Sequence, residues 1–312
     1  MIARRHFLAA LPAAAALPLV SSAQEAAAAP AGIPLPPNPE QGILFSCKSG
    51  MLEGKSIEEK LLLAKAAGYD GVDWDQAGGT TPEALRAAVL KTGVFVHNAI
   101  NHDHWKFTLT SPDEAKRTKG LENLKHCLRV SHAAGGSAVL LVVGSGGDGP
   151  EAEIAARARA ESEKTRPRAA ARGRRILFEN VWSKMFYQDG GPRQQSPQPW
   201  IDFVDSFNSP WVGMFFDLGN HARYADIPTW IRAMGHRIGK LDIKGYSNAR
   251  ADKDGNWKGF TETITDGDID WAPIRAALKD IRYTGWVSAE VGGGGLERHQ
   301  KVLAQMKEAL LG

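Results

Sequence analysis

The sequence predicts an α/β fold, a single-domain (β/α)8 TIM barrel, on three observations. Eight short apolar runs alternate with segments of helical period along residues 42–312. The runs lack polar alternation, as parallel strands buried on both faces do. No Gly-x-Gly-x-x-Gly motif follows the first run, which argues against an open dinucleotide-binding sheet and for a closed barrel. A length of 312 residues suits one such barrel with an N-terminal extension.

The expected strands are Ile43–Cys47, Gly71–Trp74, Val94–His97, Ala138–Val143, Arg175–Glu179, Val212–Asp217, Ile238–Lys244 and Gly285–Glu290. The first two helices carry the clearest punctuation. Ser56–Ala67 opens on a serine with Glu59 three residues on, a capping box, and stops at Gly68. Thr81–Lys91 opens Thr-Pro-Glu and stops at Gly93. Pro112–Ala134, Pro150–Ala171, Pro199–Ser209, Pro228–Gly235, Trp271–Ile281 and Leu296–Leu311 complete the helices. The glycine-rich run 144–149 after strand four lacks a Walker lysine and reads as a βα loop.

Residues 1–23 read as a signal peptide. Arg4 and Arg5 precede Phe7-Leu8 and an Ala/Leu-rich run, and Ser21-Ser22-Ala23 offers small residues for cleavage. The paired arginines suggest the twin-arginine route, so the expected location is periplasmic or otherwise exported. The run is too short for a stable membrane anchor after processing. Residues 24–41, rich in Ala and Pro, read as a linker. A formal charge of +3, spread along the chain, gives no footprint for nucleic acid. Cys47 and Cys127 fall in different elements and are expected to be buried thiols rather than a disulfide framework.

In such a barrel, chemistry belongs at the C-terminal ends of the strands. There the sequence places Glu179, Asp217, Asp242 and Glu290, each after apolar residues that carry it into the interior. Buried carboxylates are costly unless paired or bound to a metal. One alone is explained by a lysine. Four on consecutive strands exceed what Lys240 and Lys244 neutralise and point to a divalent cation.

The segments Phe178-Glu179-Asn180-Val181-Trp182, Phe216-Asp217-Leu218-Gly219-Asn220, Gly267-Asp268-Ile269-Asp270-Trp271 and Gly285–Glu290, with Gly68–Asp73 near the start, resemble the xylose-isomerase-like barrels, the sugar phosphate isomerase/epimerase group. The resemblance spans roughly residues 42–311. It implies one divalent ion, often Mn2+, Mg2+, Co2+ or Zn2+, held by Glu, Asp, His and Glu on strands five to eight. Carried over, the pattern gives Glu179, Asp217 and Glu290. At the fourth position this chain departs from it, with Asp242 where histidine is usual and Lys244 two residues on. An aspartate hardens the ligand shell and favours Mn2+ or Mg2+ over Zn2+; the alternative is that Asp242 pairs with a lysine.

The activity so implied is sugar isomerisation or epimerisation through an enediolate. Glu179 or Glu290 takes the proton, and Lys244 steadies the oxygen that gains charge or relays a proton. Export favours a free sugar over a phosphorylated one. The same proton abstraction on a 3-keto-glycoside would eliminate the aglycone, making the protein a lyase. A non-catalytic sugar-binding protein is a further reading, motivated by Asp242. Metal-dependent apurinic endonucleases share the barrel class but need more ligands and a basic face. A homo-oligomer stays open.

His97, His102 and His104 crowd the expected loop after strand three. Either they are incidental, or the loop is a substrate lid in which His104 hydrogen-bonds sugar hydroxyls, Trp105 stacks on the ring and His97 assists. A second metal on these histidines is a weaker alternative. His221 follows Asp217 by four residues and is a further substrate-binding candidate, as is Trp182 in the loop after strand five. Trp257 and Phe260 belong to the long loop after strand seven and are candidates to cover the site.

Overall fold

A computed structural model describes residues 42–188 and 190–312, so the expected signal peptide and linker lie outside the described residues. Eight parallel strands close a barrel in chain order: β1 Ile43–Lys48, β2 Gly71–Trp74, β3 Val96–Ile100, β4 Ala138–Leu141, β5 Arg175–Glu179, β6 Val212–Asp217, β7 Ile238–Ile243 and β8 Gly285–Ala289. The seam between β1 and β8 runs in register from Ile43 opposite Gly285 to Cys47 opposite Ala289.

The helices are α1 Ile57–Ala67, α2 Pro82–Thr92, α3 Glu114–Ala133, α4 Glu151–Glu163, α5 Arg166–Ala171, α6 Gln198–Asp205, α7 Leu218–His221, α8 Ile227–Met234, α9 Asn248–Asp254, α10 Trp271–Asp280 and α11 Leu296–Leu311. Ser56 caps α1 through a reciprocal box with Glu59, and Gly68 ends it at φ +94°, where a side chain would clash with the backbone. Thr81 caps α2 by accepting from the Ala84 N–H at 3.2 Å. The single helix expected over 150–171 is two, α4 and α5. Pro167 has no N–H, and its ring crowds the Glu163 carbonyl four residues back, so the chain breaks at Lys164-Thr165.

Outward side chains of the strands, among them Val72, Val96, Val139, Ile176, Phe216 and Val287, join the main core under the helices. Cys47 and Cys127 are free thiols within it, as expected. Inside the barrel, Leu44, Phe95 and Trp286 pack near the strand starts, and Ile100, Ala138, Leu140, Leu177 and Phe215 pack together as a second group. A polar group is also buried there. His97 exchanges hydrogen bonds with Ser46 Oγ (2.9 Å) and Lys240 Nζ (3.0 Å) and stacks on Trp286 with centroids 4.2 Å apart. Ser46 bonds Ser288 at 2.7 Å, and Asn98 donates to Asp73 at 2.8 Å. These mutual partners let a polar His-Asn pair occupy strand interior, so β3 runs on past His97 to Ile100; it begins at Val96, two residues later than the sequence suggests. Among the described residues no helix is long and apolar enough to cross a membrane.

Candidate metal centre and its pocket

Glu179, Asp217, Asp242 and Glu290 converge where β5–β8 end, with one potential ligand atom from each lying within 4.8 Å of all the others. The local sequence explains how they are held. Asn180 acts as a side-chain splint between β5 and β6: its Nδ2 donates to the Asp217 carbonyl (2.9 Å) and its Oδ1 accepts from the Asp217 N–H (2.8 Å). Asn220 completes the splint by donating to the Asn180 carbonyl at 2.9 Å. Asp217 also caps the single turn of α7, with Oδ1 accepting from the Asn220 N–H at 2.9 Å. That fixes Oδ1 and leaves Oδ2 without a hydrogen bond, although the Lys244 ammonium stands 2.8 Å away as an ion pair.

The same division recurs in two neighbours. Asp242 Oδ2 accepts from Lys48 Nζ at 2.7 Å, while its buried Oδ1 has no partner among the described residues. Glu290 Oε2 accepts from Lys244. Lys244 reaches both carboxylates because residue 219 is glycine; a Cβ there would lie 2.1 Å from Lys244 Cγ. No group among the described residues hydrogen-bonds the Glu179 carboxylate, which opens to the cavity. Lys48 and Lys244 balance only two of the four carboxylates. Orphaned buried oxygens in a hard-oxygen donor set fit a divalent cation.

The electrostatics follow burial. Desolvation pushes the Glu179 carboxyl well above the ordinary range, and the Glu290 charge adds to the push. Desolvation also raises Asp242 and Asp217, against the opposing pull of Lys48 on the first and Lys244 on the second. For Glu290 burial pushes upward too, but Lys244 and Lys48 outweigh it and hold the carboxyl at about 2.

Above the cluster lies a cavity of about 470 Å3, lined by Lys48, Glu179, Lys244 and Glu290 among polar groups and by Trp105, Trp182, Trp257 and Phe260 as an aromatic wall. Trp182 is anchored by its Nε1–H to the Asn220 carbonyl (2.7 Å) and packs on Trp257 and Phe260 with centroids 4.8 and 5.0 Å away. Trp257 and Trp105 are 70% and 57% exposed, apolar surface in place to meet a ligand's face. His104 lines the cavity and is held neutral at about 3 by burial and then by Lys48. Its Nδ1 accepts from the Val142 N–H at 3.1 Å, so the proton sits on Nε2, which remains as a neutral donor.

Of the residues expected in the site, the structure brings Glu179, Asp217, Asp242, Glu290, Lys244, His104, Trp105 and Trp182 together. His97 and His221 are placed elsewhere. His97 lies on β3 inside the barrel and does not line the cavity, because the strand runs further than its sequence suggests. His221 is wholly buried against Phe216 and Trp230 (centroids 4.3 and 3.9 Å), and its Nδ1 hydrogen-bonds the Tyr187 hydroxyl. The turn of α7 directs Asn220 to the cavity and His221 to the helix layer. His102 pairs with Asp103 at 3.1 Å outside the cluster. Sequence reasoning missed Lys48, the last residue of β1, and Asn180 as the splint; an asparagine directly after a strand-end carboxylate is the signal that could have flagged the second.

A closed parallel barrel with ligand-ready carboxylates at its C-terminal mouth defines a class, the α/β barrels that work at that face. The chain belongs to the xylose isomerase-like TIM barrel family, whose pattern spans residues 61–310. Similar solved structures include a D-allulose 3-epimerase from Methylomonas sp. in complex with D-allulose, with a TM-score of 0.69 and 19% identity over 86% of this chain and 97% of that one. A 3-keto-D-glucoside 4-epimerase from E. coli matches with a TM-score of 0.68 and 16% identity, covering 85% of this chain and 99% of that one. The IOLI protein with a binding zinc atom gives 0.68 and 16% identity over 86% and 98% of the two chains. At these identities the likeness is one of fold. Among curated proteins none is significantly similar in sequence.

Proposed function

We propose that the protein is an exported, divalent-cation-dependent sugar epimerase or isomerase acting on an unphosphorylated sugar. The observation that carries the reading is the convergence of four strand-end carboxylates, Asp242 among them with a buried oxygen left unpaired, beneath an aromatic-walled cavity. Glu179, Asp217, Asp242 and Glu290 would hold the ion, Mn2+ or Mg2+ by preference for an all-oxygen set. When bound, a divalent cation supplies Lewis-acid polarisation of a carbonyl and its neighbouring hydroxyl.

The chain's own residues supply the rest. Glu179 is the base for the carbon-bound proton: it lines the cavity, and burial followed by the Glu290 charge raises its carboxyl above the ordinary range, which strengthens it as a proton acceptor. The Nε2–H of His104 and the Lys244 ammonium are the wall's donors to the oxygen that gains negative charge. Returning the proton to the opposite face gives an epimer; returning it to the adjacent carbon gives an isomer. The aromatic wall offers stacking surface for a pyranose face.

Two features support an unphosphorylated substrate. Among the described residues, Lys48 and Lys244 are the only lysines or arginines lining the cavity, and both are committed to carboxylates, so neither is spare for a phosphate. The expected signal peptide and periplasmic location point the same way. Related sugars bearing a 3-keto group and an aglycone fit the same chemistry, with loss of the aglycone as the alternative outcome.

The test is Mn2+-loaded protein incubated in D2O with free ketoses and, separately, 3-keto-glycosides. Deuterium entering one sugar C–H position without aglycone release supports the epimerase or isomerase. Aglycone release turns the assignment to a lyase. Saturable sugar binding with no exchange in any substrate would leave a binding protein and sink the catalytic reading.

A further inference from the structure

We propose that Lys48 is a positioning residue of the cation site, pairing with Asp242 so that the two act together as one neutral, single-oxygen ligand that moderates affinity for the ion. This rests on the cation reading above. Lys48 ends β1, on the opposite side of the seam from Glu290, and is only 5% exposed. Its Nζ lies 2.7 Å from Asp242 Oδ2 and 3.7 Å from Asp73 Oδ2. Asp242 is wholly buried, with its second oxygen, Oδ1, orphaned.

The arrangement has two consequences. An ammonium fixed on Oδ2 prevents Asp242 from chelating the ion with both oxygens, leaving Oδ1 as its one ligand atom. The ammonium also faces Glu290 and Glu179, so its charge opposes that of an ion bound between them. Other second-layer partners strengthen a site by orienting neutral ligands. Here the partner is itself a cation beside the bound charge, and charge outweighs orientation.

The experiment compares Mn2+ binding to the full protein and to its variants by titration calorimetry, with Mn2+ electron paramagnetic resonance as a readout of the coordination shell. Lys48→Met is expected to tighten Mn2+ at least tenfold, to lower the melting temperature of the metal-free protein, and to alter the resonance spectrum as Asp242 becomes two-toothed. Lys48→Arg keeps the pair and is expected to stay within about threefold of the wild type. Asp242→Asn is expected to weaken Mn2+ far more in the Lys48→Met background than alone, which is the signature of a coupled pair.

Unchanged or weaker Mn2+ binding in a folded Lys48→Met protein overturns the inference while leaving the cation site intact. If Lys48→Met does not fold, Lys48→Gln decides on the same criteria. A wild-type protein that binds no divalent ion overturns the cation reading itself, and this inference with it.

Discussion

The two halves of the barrel mouth are built differently. Each strand from β5 to β8 delivers a carboxylate, Glu179, Asp217, Asp242 and, one residue past β8, Glu290. The first half delivers mainly support: Lys48 at the end of β1, His104 after β3, and β4 purely apolar from Ala138 to Leu141, with Asp75 after β2 also on the cavity. One half concentrates charge, and the other meets it with a counter-charge and a neutral donor. A pseudo-symmetric scaffold thus acquires polarity across its mouth, with the four clustered carboxylates gathered on one side.

Substitutions can break this contrast, beginning with the largest effect. Glu179→Gln removes the proposed base and one proposed ligand and is expected to lower kcat about a thousandfold, by steady-state assay, with near-ultraviolet circular dichroism unchanged. His104→Phe, in the supporting half, is expected to lower kcat/KM about a hundredfold while Mn2+ binding by calorimetry is retained. With His104 neutral down to about pH 3, the acid limb of kcat/KM between pH 5 and 8 belongs to other groups.

Smaller effects test the scaffold. Gly219→Ala puts a Cβ 2.1 Å from Lys244 Cγ, and urea unfolding is expected to show a loss of ~1–3 kcal/mol from overpacking. His221 tests whether a buried histidine outside the mouth matters only to stability. Burial lowers its pKa, so the unfolded chain takes up a proton below about pH 6.5 and the folded chain does not. The stability this neutral ring contributes is present above that pH and lost as pH falls. Relative to His221→Phe, the wild type is expected to lose up to ~1.4 kcal/mol per pH unit below 6.5, with little change in kcat.

The carboxylates were legible because each follows an apolar run, and a charge at the end of a buried strand needs a partner. Helix caps at Ser56 and Thr81 were legible because capping is local. Lys48 was not, since a single lysine after a strand looks like any solvated surface residue until β1 closes against β8. His97 was misplaced for a related reason: its partners Ser46 and Lys240 are distant in sequence, so nothing nearby announces that a histidine can sit inside β3. His221 differs from Asn220 only by one step around a helical turn, a rotation that fixes facing but leaves no mark in composition.

The seam between β1 and β8 has a kinetic meaning. Lys48 and Asp242 are 194 residues apart, and Lys48 and Glu290 meet only when the last strand docks on the first. No partial barrel contains the complete pocket, so whatever stabilises it acts late along the folding route. An occupant of the mouth is therefore expected to work as a latch on the finished ring, slowing the unfolding rate far more than it speeds the folding rate.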